Sequence, residues 1–452
     1  MVIQLIEEVR MKTTLDQNDF IALTTELISQ NQEVDLMYPG DSADRQPVQT
    51  VYGGAHLFKS DTAKKLSTLS LKFLEEYAPN EQTFSSALNI SKEFSSDVYT
   101  RVLKKLQDEA VEDFRIDFED GFGNRPNQEE DEVAILASRE LAKGMKEKTI
   151  PPFIGIRIKS FTNELIGRSL RTLDLFITNL VSEAEGMLPN NFVVTLPKIT
   201  HVSQVETLVG AFEKLESKLG LPSKSLKMEF MVEDTKTLFD MEGRLAMPAM
   251  LKAAQGRCRG AHFGTYDFTA SVDVIADHQK MNHFACDFAK HLMKATFSST
   301  GVWLSDGATN VMPVGPHRGE LTPLQKEENT KVVHDAWRLS FKHTWHSLEN
   351  GFYQGWDLHP GQLPVRYAAV YAFFLQSLKQ ASVRLKNFIE VAAKATLVGD
   401  VFDDAATGQG LLNFFIKAYN CGAIGEKEIL ATGLTVEELR QKSFYKIVQN
   451  RQ

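Results

Sequence analysis

Cysteine is scarce in this 452-residue chain: Cys258, Cys286 and Cys421 lie far apart and form no CxxC pair. Neither a disulfide framework nor a cysteine zinc site is signalled, and a reducing compartment is expected. Long apolar runs are missing too. No segment approaches the roughly 20 apolar residues of a membrane span. The opening MVIQLIEEVRMKTTLDQ mixes charge into its apolar positions too early for a secretory leader. Positive charge is in deficit, with 50 Lys and Arg against 59 Asp and Glu and a net charge of -9 at pH 7. That balance argues against nucleic-acid or anionic-membrane partners. The expectation is a cytoplasmic protein with no nucleic-acid and no membrane partner.

Several signature motifs are also missing. There is no GxxxxGK phosphate loop and no GxSxG elbow. Gly408-Gln409-Gly410 follows no convincing strand, which argues against a dinucleotide site. His278, His283 and His291 lack the paired spacing of a zinc helix, and His343 and His346 fall on an amphipathic segment.

What remains is an ordinary globular composition, 43% hydrophobic and 24% charged. Short β-branched or aromatic runs alternate with longer amphipathic stretches. The runs are VQTVYGGAHLF (48–58), DFRIDFEDG (113–121), FIGIRIKSF (153–161), FVVTLPKI (192–199), LKMEFMVE (226–233), CRGAHFGTYDF (258–268), VWLSDG (302–307) and GWDLHPGQ (355–362). Eight such units predict an α/β fold, a (β/α)8 TIM barrel, over residues 48–365. An N-terminal helical extension (1–47) and a C-terminal helical region (366–452) flank it. Phe20, Leu23, Leu27 and Ile28 predict that a helix over 14–37 packs on the barrel exterior. Helix is expected from about 365 to 397, with a break at GDVFDDAATGQG (399–410) and two or three further helices. The Pro- and Gly-rich 310–325 suits a surface loop or lid.

In a barrel, chemistry gathers at the C-terminal strand ends, and polar residues cluster there. Asp117, Glu119 and Asp120 end the second run, and Arg157 and Lys159 the third. Lys198, Glu233, Asp267, Asp306 and His359 end the next five. Three carboxylates within DFEDG require either solvent or a cation opposite. Glu233 and Asp267, on neighbouring strands roughly 4.8 Å apart, could converge on one Mg2+, or each could cap its own loop. Arg157 offers a fork to a substrate carboxylate or an oxyanion, or else pairs with the acids of the adjacent strand. Lys159 and Lys198 are weaker candidates. Gly54 and His56 sit in GGAHLFKS, where free N–H groups ahead of a helix would attract an anion, or where a tight turn is simply formed.

The segments DFEDG, Arg157-Ile158, LPK (196–198), VED (232–234), FGTYDFTAS (263–271) and GWDLHPGQLPV (355–365) resemble, in order, landmarks of the citrate lyase beta subunit, malyl-CoA lyase and class II 2-oxo acid aldolase superfamily. Malate synthase shares the DFED element. The resemblance implies that Glu233 and Asp267 bind Mg2+, with Mn2+ as a substitute. It implies that Arg157 contacts the oxo acid and steadies an enolate, and that Glu119 and Asp120 lie near the metal's waters. Gly54, His56 and Lys198 join Arg157 as substrate-binding candidates. Two departures, Arg157-Ile158-Lys159 and Gly264-Thr265-Tyr266-Asp267, point to a different substrate pocket. The expected function is a Mg-dependent carbon–carbon lyase acting on a small 2-oxo acid or an acyl-CoA substrate, assembled as a homo-oligomer. Its proton-transfer base is His56, Asp306, His359 or a metal-bound water. A phosphoenolpyruvate-handling phosphotransferase and a noncatalytic 2-oxo acid binder are the alternatives.

Overall fold

The computed structural model describes residues 14–40, 44–390, 396–398, 401–403, 405–441 and 443–451. A helix, α1 (Gln17–Met37), precedes eight parallel strands that close a barrel in sequence order. These are β1 (Gln49–Gly54), β2 (Asp113–Asp117), β3 (Phe153–Arg157), β4 (Phe192–Leu196), β5 (Lys227–Val232), β6 (Cys258–Phe263), β7 (Trp303–Ala308) and β8 (Gln354–Trp356). β1 pairs with both β2 and β8, so no strand edge is left open.

Helices cover the outside. β1 leads to α2 (Thr62–Tyr77), α3 (Glu81–Leu88) and α4 (Ser95–Glu109), β2 to α5 (Asn127–Glu147), β3 to α6 (Ile166–Glu183) and β4 to α7 (Val202–Leu219). β5 leads to α8 (Thr235–Leu238) and α9 (Met247–Ala253), and β6 to α10 (Thr265–Ser271) and α11 (Phe284–Phe297). β7 leads to α12 (Pro323–Glu349) and β8 to α13 (Leu363–Glu390). The inward stripe of α6 shows why such segments are helical: Leu173, Phe176, Ile177 and Leu180, at i, i+3, i+4 and i+7, are all buried. Ends follow local chemistry. Gly220, at φ +69°, stops α7, and Thr322 with Pro323 starts α12 through a capping box.

Period-two alternation divides the strand residues between two environments. In β2, Phe114 and Ile116 join the hydrophobic layer under the helices. Asp113, Arg115 and Asp117 turn to the barrel axis, where they meet polar residues of other strands.

Two expectations need correction. No residue of α1 is buried, and Phe20 and Leu23 are 51% and 64% exposed, so its apolar stripe does not pack on this chain's barrel. The helix leaves the barrel at Gly40, whose N–H reaches Ser299 O at 2.8 Å. The expected break at 399–410 also lies earlier, since residues 396 and 397, expected to be helical, belong to a strand. α14 (Ala405–Asn420) already begins within it, and a short antiparallel pair, β9 (Thr396–Val398) with β10 (Val401–Asp403), precedes it. Residues 391–395, 399, 400 and 404 of these predicted segments lie outside the described residues. α13 runs unbroken across the 365/366 boundary, with Leu363, Val365, Tyr367 and Ala368 buried. After α14 come α15 (Glu426–Leu430), α16 (Val436–Arg440) and α17 (Phe444–Arg451). No described helix is long and apolar enough to cross a membrane.

Candidate active site

The cations that DFEDG demanded are Arg157 and Lys198. Arg157, at the end of β3, is buried and donates from Nε and Nη2 to the two oxygens of Asp117, at 2.7 and 2.5 Å. Its Nη1 lies 3.0 Å from Glu119 Oε2 and 3.5 Å from Asp120 Oδ2. Asp117 is spoken for on every side, since it also accepts the backbone N–H groups of Glu119 and Gly121. Burial opposes the charge on Arg157, but Asp117 and Glu119 hold its pKa well above the ordinary arginine value. With its fork fixed from behind, the guanidinium is oriented before any ligand arrives.

Lys198 is more central than the sequence suggested. Its backbone adopts φ +51°, an uncommon left-handed conformation for a residue with a side chain. This turn sends its N–H to Glu233 Oε1 at 2.7 Å, while Nζ donates to Glu119 and Asp120. Burial would lower the Lys198 pKa, yet Glu119, Asp120 and Asp267 raise it.

Glu233 follows β5 and is 3% exposed. Burial first, and then the fields of Glu119 and Asp267, push its carboxyl up to about 8. Asp267 stands four residues past β6, exposed in the first turn of α10, because the helix begins directly after Gly264. Gly264 is there for space: a Cβ would sit 2.6 Å from Glu233 Oε2.

A divalent cation suits these residues on two counts. Glu119 and Asp267 add negative charge beside buried Glu233, and Glu119 Oε2, although 3.0 Å from Arg157 Nη1, is buried without a hydrogen bond. All the donors are oxygens, as Mg2+ prefers. Among the described residues no three His, Cys, Asp or Glu side chains form a ready-made cage. The protein would therefore supply two carboxylates, with water and substrate completing the shell, a usual arrangement for Mg2+.

Of the three side chains among the candidate bases, two are committed elsewhere. Asp306 faces the helices: Oδ1 accepts Gly307 N at 2.7 Å, and Oδ2 accepts buried Lys290 and Ser347 at 3.0 and 2.6 Å. His359 caps a single 3-10 turn by accepting Gly361 N at 3.0 Å. His56 differs. Its Nδ1 is buried without a hydrogen bond, and burial and Arg125 lower its pKa, so the ring is neutral near pH 7. Its ring meets Phe122, just beyond DFEDG, edge-on at 5.7 Å.

Gly54 precedes a 3-10 turn, Ala55–Leu57, and α2 starts only at Thr62. The helix-start anion cradle is thus not formed there. A Cβ on Gly54 would lie 2.3 Å from Gly121 O, so the glycine is required by the close approach of the β1 and β2 ends. Lys159 donates to Phe118 O at 2.6 Å and pairs with buried Glu130, a structural role.

Below the mouth lies a network that the sequence reading missed. Arg115 donates to Glu229 from Nε and Nη2 at 3.0 and 2.7 Å, and also pairs with Asp113. Glu229 further accepts Thr195 Oγ1 at 3.1 Å and lies 3.4 Å from His262 Nε2. Burial alone would raise the Glu229 carboxyl, but Arg115 and His262 hold it far below the usual range. Trp356 Nε1 donates to His262 Nδ1 at 2.9 Å, and Tyr52 packs tilted against Trp356, with the Arg157 guanidinium 4.9 Å from the centre of its ring. A buried polar column thus supports Arg157 from underneath.

The family model described as a domain of unknown function (DUF6986) matches residues 27–447. No curated protein matches the chain. Among solved structures, a citrate lyase from Burkholderia xenovorans aligns over 87% of this chain and 98% of its own, at 16% identity and a TM-score of 0.55. Malate synthase of Haloferax volcanii aligns over 91% of this chain and 98% of its own, at 14% identity and a TM-score of 0.44. The citrate lyase likeness establishes the barrel fold.

Proposed function

The chain belongs to the DUF6986 family, and we propose that its barrel mouth makes or breaks a carbon–carbon bond, of aldol or Claisen type, in a 2-oxo acid or acyl-CoA substrate. The feature that carries this reading is buried Glu233, whose carboxyl is pushed up first by burial and then by Glu119 and Asp267, beside an arginine held by both oxygens of Asp117. Glu233 and Asp267 would hold Mg2+ or Mn2+. When bound, such an ion acts as a Lewis acid on a carbonyl oxygen, worth several kcal/mol. Arg157 would donate charge-assisted hydrogen bonds to the substrate oxygen on which negative charge develops. Lys198 would hold Glu119 and Asp120 in place; its charge helps to keep Asp120 ionised and opposes the upward push that burial gives the Glu119 carboxyl. His56, neutral and with an unbonded Nδ1, would take the proton at that atom. The citrate lyase-like fold supports placing this chemistry at the C-terminal strand ends. The same reading makes the protein a cytoplasmic homo-oligomer.

Turnover of a panel of 2-oxo acid aldols and acyl-CoA esters tests it, with product oxo acid followed by NMR. Cleavage of at least one compound is expected, abolished by chelator and restored by Mg2+. Binding without cleavage would instead mark a 2-oxo acid binder, and consumption of a phosphoryl donor would mark a phosphotransferase; either overturns the proposal.

A further inference from the structure

At the other end of the barrel a groove of about 640 Å3 opens between the N-terminal strand ends and the helices. Pro248, Ala249, Leu251 and Val302 line its apolar part, and Lys227, Lys252 and Arg259 stand on its walls. Lys252 is exposed and Lys227 half-buried. Burial first, and then Arg257, Arg259 and Lys224, lower the Lys227 pKa; among the described residues no acidic side chain lines the groove, although Arg259 reaches Asp44 at 3.2 Å and Arg257 is paired with buried Glu216.

The same chain carries a segment of matching character. α1 is preformed by a capping box at Asp16 and Asp19, yet none of its residues is buried. Phe20, Leu23, Leu27, Val34 and Met37 repeat at alternating spacings of three and four, giving one apolar seam, with Gln30 its one polar member. Asp19, Glu26 and Glu33 follow each other at seven-residue intervals along one side of that seam. Residues 17–37 contain no Lys, Arg or His. An apolar seam with one acidic edge complements an apolar groove with basic walls. Two such helices packed on each other would gain no opposite charge.

We propose that α1 docks in the groove of a second copy of this chain, so that two copies exchange N-terminal helices. Leu36–Pro39 already line the edge of the chain's own groove, and Gly40 N–H ties that end to Ser299 O. A copy brought against this face finds the projecting helix and the groove side by side. Folding α1 back into its own groove would require the chain to reverse within Tyr38–Gly40, where Pro39 restricts the preceding residue. α1 instead projects, with its seam exposed.

Single-cysteine substitutions test the exchange, because a disulfide between two differently substituted chains can form only between copies. The full chain carrying Glu26→Cys is mixed with the chain carrying Lys252→Cys under mild oxidation. A 26–252 linkage identified by mass spectrometry is the expected result. No linkage in the mixture, a 26–26 linkage alone, or a 26–252 linkage found only within a doubly substituted chain would overturn the proposal. In analytical ultracentrifugation, Lys252→Glu should weaken self-association at least tenfold, and adding Glu26→Lys should restore it. Leu23→Asp with Leu27→Asp should abolish it while the circular dichroism and melting temperature of the barrel are retained. Self-association indifferent to these changes would contradict the assignment.

Discussion

Replacing Glu233 by Gln should stabilise the metal-free protein at alkaline pH. The carboxyl moves from an ordinary 4.5 to about 8 on folding. Between those values the folded chain keeps a proton that the unfolded chain has released. Stability must therefore fall as pH rises from about 4.5 to about 8, and level off above that. At roughly 1.4 kcal/mol per pH unit, complete ionisation costs the folded state up to about 5 kcal/mol. Gln keeps the shape and can still accept the Lys198 N–H, so it removes the charge while retaining that contact. Urea unfolding of both proteins in chelator, from pH 5 to 9, measures the difference. The curves should coincide near pH 5 and diverge by several kcal/mol at pH 9, the variant being more stable. Mg2+ should close the gap by stabilising only the native sequence. A difference independent of pH would refute the reading that burial and the neighbouring acids raise the Glu233 carboxyl.

Other substitutions separate the mouth from its supports. Arg157→Lys should lower kcat about 100- to 1000-fold, because an ammonium cannot keep the two-point grip on Asp117 while donating to substrate; steady-state kinetics on the cleaved substrate checks this. His56→Gln should cost about 100-fold or more in kcat with unchanged Mg2+ affinity, whereas His359→Gln should lower only the melting temperature. Glu229→Gln should destabilise the fold by about 3–5 kcal/mol in urea, since it leaves the buried Arg115 charge short of a partner.

Much of the barrel was legible because β-branched or aromatic runs lead into polar residues at or just past the strand ends, and each of the eight candidate runs overlaps a strand, with β7 and β8 each overrunning theirs by one residue. Arg157, Lys198 and Glu233 could be found from position alone, because the fold fixes where strand ends lie. Which way each end faces was harder to read. Asp306 looked equivalent to Glu233, yet it bonds to Lys290 and Ser347 among the helices. A strand as short as VWLSDG does not reveal its inward parity, and a one-residue change reverses every side chain.

The interior network left a signal that went unused. Asp113, Arg115 and Asp117 alternate with Phe114 and Ile116, which places three charges on one face of a buried strand. Their partners Glu229 and His262 come from far along the chain, a pairing that only closure of the barrel creates. The importance of Lys198 was hidden for another reason: it depends on a left-handed backbone at a lysine, which residue type does not foretell. For α1, the apolar stripe correctly gave the helix but could not give its partner.

On the proposed mechanism, Glu233 and Asp267 grip one divalent ion beside Arg157. Crystals grown with Mn2+ and a 2-oxo acid, measured at the manganese absorption edge, test it most directly. An anomalous peak bonded to both carboxylates is expected, with the oxo acid reaching toward Arg157. A peak bonded to neither carboxylate, or none at a Mn2+ concentration that supports turnover, would contradict it.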